Sequence, residues 1–105
     1  MQLDLTTEKN EKDLTIQLSG ELNTLTAPSL SELIKKELEG VERLTLDFGE
    51  CDYVSSSGLR ILMATYKKMK NKNGSMKLTN VGENFMDVLS NTNLDAVFDI
   101  TRRDQ

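Results

Sequence analysis

Residues 47–62 read Asp47-Phe48-Gly49-Glu50-Cys51-Asp52-Tyr53-Val54-Ser55-Ser56-Ser57-Gly58-Leu59-Arg60-Ile61-Leu62. The apolar period changes across this stretch, and that change decides the fold class. Upstream, Leu44, Leu46 and Phe48 alternate with Thr45 and Asp47, the period-two signature of a strand. Downstream, Leu59, Leu62, Met63, Tyr66 and Met69 recur at helical spacing. Three serines and a glycine occupy the join. A serine at a helix start accepts a hydrogen bond from a free backbone N–H of the first turn. One cap needs one serine, which leaves the other hydroxyls to be explained.

Toward the N-terminus, Leu3 and Leu5 form a short edge-like strand, and Glu8 to Asp13 connect it to a second strand carrying Leu14, Ile16 and Leu18. Ser19-Gly20 ends that strand, and Glu21 to Leu25 reads as a loop. Thr26-Ala27-Pro28 opens a helix, with Thr26 as its cap and Pro28 in its first turn. Its stripe is Ala27, Leu30, Leu33, Ile34 and Leu38, and Gly40 stops it. The third strand runs from Arg43 to Phe48, and the central helix from about Ser57 to Lys72, closed by Asn73-Gly74. Met76 and Leu78 mark a fourth strand, and Phe85, Val88 and Leu89 a short helix within Gly82 to Asn91. Val97 to Ile100 reads as a last edge strand and Thr101 to Gln105 as a frayed tail. This order predicts one α/β domain over residues 1–105, a mixed sheet of four to five strands with about three helices packed against it.

A chain of 105 residues, 29% charged and 37% apolar, suits one soluble globular domain. The net charge of −4 opposes nonspecific binding to nucleic acid or an anionic membrane. The single cysteine, Cys51, permits no internal disulfide and fits a reducing compartment. No apolar run spans a bilayer, and Met1 to Asn10 does not read as a signal peptide, so the expected location is cytoplasmic. With no histidine, Ser-His-Asp and Cys-His arrangements are excluded, as are histidine-ligated metals. Neither a phosphate-cradling glycine loop nor a dinucleotide fingerprint is present. The expectation is a protein without catalytic residues, cofactor or metal.

At about 100° per residue, Ser57, Ile61, Ala64 and Lys68 fall opposite the apolar stripe of the central helix. That face is only weakly polar. Either it is a solvated face with one stray isoleucine, a neighbouring helix covers Ile61, or it is a docking face with Ser57 at its rim. Lys67, Lys68, Lys70 and Lys72 complement the helix dipole and have no aromatic platform for nucleic acid among them. Asp47, Glu50 and Asp52 read as an acidic loop, Asp47 structural and the others solvated. Cys51 reads as a small buried residue at a strand end, and Met63, Met69 and Met86 as core.

In this order the residues resemble the STAS domains, and within them the bacterial anti-sigma factor antagonists. The likeness runs from about Leu14 to Ile100. Gly20-Glu21-Leu22-Asn23 and Thr26-Ala27-Pro28 are similar to the family's Gly-Glu-Leu-Asp and Thr-Ala-Pro segments, and Leu46-Asp47 to its Leu-Asp strand end. Ser56-Ser57-Gly58-Leu59 resembles the tail of its Asp-Ser-Ser-Gly-Leu motif, and Gly74 to Leu78 with Val81-Gly82 its later strand and turn. Two positions depart from the pattern: Ser55 stands for the motif's aspartate, and Asn23 for an aspartate common in the family.

The resemblance implies a non-enzymatic switch. In the family, the unphosphorylated antagonist binds an anti-sigma factor serine kinase with a Bergerat-type ATPase fold and so frees the sigma factor. Phosphorylation at the start of the central helix ends that binding, and a metal-dependent serine phosphatase resets it. Carried over by position, the acceptor is Ser57, with Ser56 second. The implied partner-binding set is Asn23, Ser55, Ser56, Ser57, Gly58, Arg60, Ile61, Ala64 and Lys68. The alternative is a STAS subunit of a lipid-transport ATPase complex or a stress-signalling assembly, docked permanently and never phosphorylated. A third class is an enzyme binding a nucleotide or lipid in the sheet-end loops, which the missing phosphate loop argues against.

Overall fold

Period-two alternation builds the sheet, and the helices cover one side of it. The computed structural model describes residues 3–103. In chain order the elements are β1 Leu3–Asn10, β2 Asp13–Leu22, α1 Ala27–Glu37, β3 Arg43–Val54, α2 Ser56–Asn71, β4 Ser75–Val81, α3 Glu83–Asn91, a 3-10 turn Leu94–Ala96 and β5 Asp99–Arg102. The strands form one five-stranded sheet in the order β1-β2-β3-β4-β5. The β1–β2 hairpin is antiparallel, and every later pairing is parallel. This is the mixed α/β architecture expected from the alternation of elements.

Leu14, Ile16 and Leu18 of β2, Leu44, Leu46 and Phe48 of β3, and Met76 and Leu78 of β4 are buried. Between them, Gln17 and Lys77 are exposed and Thr15, Thr45 and Asp47 only partly covered. One face of the sheet is therefore packed and the other is polar and open, an arrangement more usual for antiparallel sheets. The helices lie over the apolar face. Helix α1 packs on α2, α2 on β3 and β4, and α3 on β3, where the Phe48 and Phe85 rings meet at 4.8 Å. Each fully buried leucine or phenylalanine contributes about 1.5–3 kcal/mol relative to exposure.

Several boundaries differ from the sequence reading. The hairpin turn is only Glu11-Lys12, with Glu11 at φ 58, because β1 runs on to Asn10 and β2 starts at Asp13. Strand β2 continues past Gly20 to Leu22, and β3 past Phe48 to Val54. The β2–β3 register shifts between Gln17 and Ser19 and again between Ser19 and Glu21. Past Phe48 the buried residues are Cys51 and Val54, three apart, so the simple alternation is lost. Asp47, Glu50 and Asp52 thus lie on a strand, not a loop. Asp47 is structural: its Oδ1 accepts from Gly49 N and Asn80 Nδ2, both at 2.9 Å.

Helix α2 begins one residue earlier than expected and ends at Asn71. The last strand is displaced: Leu94–Ala96 forms the 3-10 turn, and β5 takes in Thr101 and Arg102. Arg103 is anchored rather than frayed. Its N donates to Val81 O at 2.9 Å, and its Nη2 donates to Phe48 O at 2.9 Å and lies 2.8 Å from Asp52 Oδ1. The remainder of the expected tail, residues 104–105, lies outside the described residues.

Candidate functional site

The end of β3 delivers the serines to the start of α2. Leu22 pairs with Val54 at the end of the β2–β3 ladder, and Ser55 N donates to Leu22 O at 2.8 Å. Ser55 is extended, with φ −82 and ψ 174, and is the N-cap of α2. Its Oγ accepts from Gly58 N at 3.3 Å, and its carbonyl accepts the first helical bond, from Leu59 N, at 2.9 Å. Capping therefore uses Ser55, while Ser56 and Ser57 are the first two residues of the helix.

Gly58 lets the helix come this close. A Cβ there would lie 2.8 Å from Leu22 Cγ and 3.0 Å from Val54 Cγ1. Only a residue without a side chain fits between the two strand ends and the first helical turn.

The β2–α1 loop forms the other wall. Asn23 Oδ1 accepts from Leu25 N at 3.0 Å and Thr26 N at 3.1 Å, a local turn held by an Asn side chain. Thr26 is the N-cap residue of α1, as expected, but its side chain makes no cap bond. Instead its Oγ1 accepts from Asn23 N at 2.8 Å and donates to Glu21 O at 2.7 Å, closing the same turn. The turn presents Thr24, whose Oγ1 lies 3.2 Å from Ser57 Oγ. The two walls of the site thus meet through two hydroxyls.

Ser56 is exposed and Ser57 partly covered. Arg60, Ala64 and Lys68 are exposed on α2, Asn23 is partly covered with its side chain occupied by the turn, and Gly58 is buried. Ile61 is partly covered and packs on the core. The buried row of α2 is Gly58, Leu62, Thr65 and Met69, with Leu59, Met63 and Tyr66 partly covered beside it. Thr65 was not legible as core because it is polar; its Oγ1 donates to Ile61 O at 2.8 Å, which satisfies it inside the helix.

Two features of the site were not singled out from the sequence. Leu25 is 85% exposed and Tyr53 52% exposed, the large apolar side chains left uncovered among the described residues. Leu25 follows Thr24 in the loop, and Tyr53 stands two residues before Ser55. Among the described residues no cluster of acidic or cysteine side chains is arranged to hold a metal ion, and no helix is long and apolar enough to cross a membrane.

The sequence model of the STAS domain matches residues 4–104. The chain belongs to the STAS domain family. Its relatives include the anti-sigma-B factor antagonist of Bacillus subtilis (strain 168), 28% identical over 105 residues that cover 100% of this chain and 96% of that protein. An anti-sigma factor antagonist from Mycobacterium paratuberculosis superposes on this STAS domain with a TM-score of 0.84 and 26% identity, over 95% of this chain and 86% of the other. The Bacillus cell fate determinant SpoIIAA in its phosphorylated form gives a TM-score of 0.74 at 17% identity, over 92% and 90% of the two chains, a likeness of fold.

Proposed function

We propose that this STAS domain is an anti-sigma factor antagonist, switched by serine phosphorylation at the start of α2. The observation that carries this reading is the pair of serines beyond the cap. Ser55 alone caps the helix, so neither Ser56, which is exposed, nor Ser57, which is partly covered and shares its hydroxyl with Thr24, is spent on capping. The antagonist names of its relatives support an anti-sigma factor as the partner; the family resemblance implies that this partner is a serine kinase of the Bergerat-type ATPase fold and that a metal-dependent serine phosphatase resets the switch. The unmodified protein docks through the start of α2 and the β2–α1 loop, with Leu25 and Tyr53 adding apolar contact at the rim.

A phosphate adds about −1.5 to −2 charges. At a helix N-terminus that charge is favoured by about 0.3–1 kcal/mol, so the modified domain stays folded. The cost falls on docking. A hundredfold loss of affinity needs about 2.8 kcal/mol, and an unmatched, desolvated charge at an interface supplies that much.

Position in the motif makes Ser57 the acceptor and Ser56 the alternative. Accessibility favours Ser56, since Ser57 is partly covered and engaged with Thr24. Phosphopeptide mapping after incubation with the kinase and ATP separates them, with Ser56→Ala and Ser57→Ala as controls. The expected result is phosphate on one of the two and at least a hundredfold weaker kinase binding by the modified form. Unchanged binding after stoichiometric phosphorylation would sink the switch.

A further inference from the structure

The exposed side of α2 has a charge that the rest of the chain does not. At about 100° per residue, Ser56, Arg60, Ala64, Lys67, Lys68 and Asn71 fall within about 120° of arc, and all six are exposed. The arc lies opposite the buried row Gly58, Leu62, Thr65 and Met69. It carries Arg60, Lys67 and Lys68, and no Asp or Glu occurs anywhere in Ser56–Asn71. The whole chain has 17 acidic and 13 basic residues, so the row is a basic strip on an acidic protein. Carboxylates pair with Lys12, Arg43 and Arg103, but among the described residues none pairs with Arg60, Lys67 or Lys68. Lys70, outside the arc, sits 5.8 Å over the Tyr66 ring, and Lys72 donates to Leu38 O. The three cations of the arc are thus unspent, and they begin one helical turn beyond Ser56.

We infer that this strip is the electrostatic half of the docking site and that it fits an acidic patch on the partner protein. The inference rests on the antagonist reading and names the chemistry of the partner surface. An uncompensated row of like charges gains from meeting the opposite sign and steers association over a Debye length. A protein surface is the occupant favoured over nucleic acid or an anionic membrane. The net charge of −4 repels both polyanions at long range, and the segments that lead to the helix start carry exposed apolar side chains, Leu25 next to the Thr24 that meets Ser57 and Tyr53 at the end of β3. The strip also gives the switch a second lever. A phosphate on the helix start places about two negative charges beside Arg60 and cancels much of the strip.

The test is association of the full chain with the purified anti-sigma factor kinase, followed by stopped flow at rising salt. Lys67→Glu/Lys68→Glu is compared with Lys35→Glu/Lys36→Glu, which changes the net charge equally on exposed positions of α1. Arg60→Gln is the milder third variant. The expected result is association slowed about tenfold or more by the α2 pair, little changed by the α1 pair, and slowed for the wild type between about 50 and 500 mM salt. Equal rates for the two pairs, with binding still abolished by phosphorylation, would overturn the strip and leave the switch standing. Failure of the unmodified wild type to bind the kinase at all would overturn both. Salt-sensitive binding to duplex DNA or phosphatidylglycerol vesicles that the α2 pair alone removes would replace the acidic protein with a polyanion and overturn the assignment.

Discussion

Gly58 is where the smallest side chain has the largest effect. The atoms that a Cβ would strike belong to Leu22, which is fully buried, and to Val54, so neither has room to swing aside. Gly58→Ala gains up to about 1 kcal/mol of helix propensity but overpacks the joint by about 1–3 kcal/mol. The expected net effect is a loss of stability, read as a lower urea midpoint, together with weaker kinase binding as α2 shifts outward. An unchanged midpoint would mean that the joint yields. Cys51 is the other residue with a sharp consequence. It is fully buried, and burial pushes its thiol above its ordinary value. The folded state then keeps a proton that the unfolded chain releases, so this contribution is complete below the unfolded thiol value of about 8.5 and is lost as pH rises toward the folded one. Wild type is expected to lose stability above that pH more steeply than Cys51→Ala, measured by denaturant titration across the alkaline range; parallel slopes would exclude the thiol as the cause.

Among the elements, α2 is tuned at its cap. The Ser55 Oγ bond to Gly58 N is long at 3.3 Å, so Ser55→Ala should cost toward the lower end of the usual 0.5–2 kcal/mol, about 1 or less. Ser55→Asp restores the family's motif residue and adds a negative charge at the helix start, with an expected gain of about 0.3–1 kcal/mol in thermal or urea unfolding. A destabilised aspartate variant would show that the cap geometry excludes a carboxylate. The elements were legible to different depths for a physical reason. Strands β2 and β4 and the first half of β3 kept their alternation because one sheet face is wet. The second half of β3 did not, because the register shifts place Cys51 and Val54 three apart. The serine cluster was legible as a helix start, and Ser55 as its cap follows from the backbone. Thr24 was not, since its contact with Ser57 joins residues 33 apart in the chain.

Over the whole molecule, one C-terminal side chain ties distant parts together. Arg103 reaches Phe48, 55 residues away, and binds Asp52 on the stretch of β3 that leads to the serines. It also fills the space above Gly82, where a Cβ would lie 2.8 Å from Nη1. The sequence presented it as one charge in a polar tail; only the sheet order, with β5 beside β4, brings it to β3. Arg103→Ala should cost about 1.5 kcal/mol, the low end for a charged donor because the side chain is partly exposed. Hydrogen exchange should quicken at β5 and over residues 48–52 while β1 is unchanged. Uniform quickening would instead mean that Arg103 contributes only to global stability.

The open polar face of the sheet has a practical use. Gln17 is exposed there, on the side away from all three helices, and the native thiol is sealed in the core. Gln17→Cys therefore offers a single reactive handle for a fluorophore or a surface tether. A dye so placed reports on encounters at α2 without standing in their path.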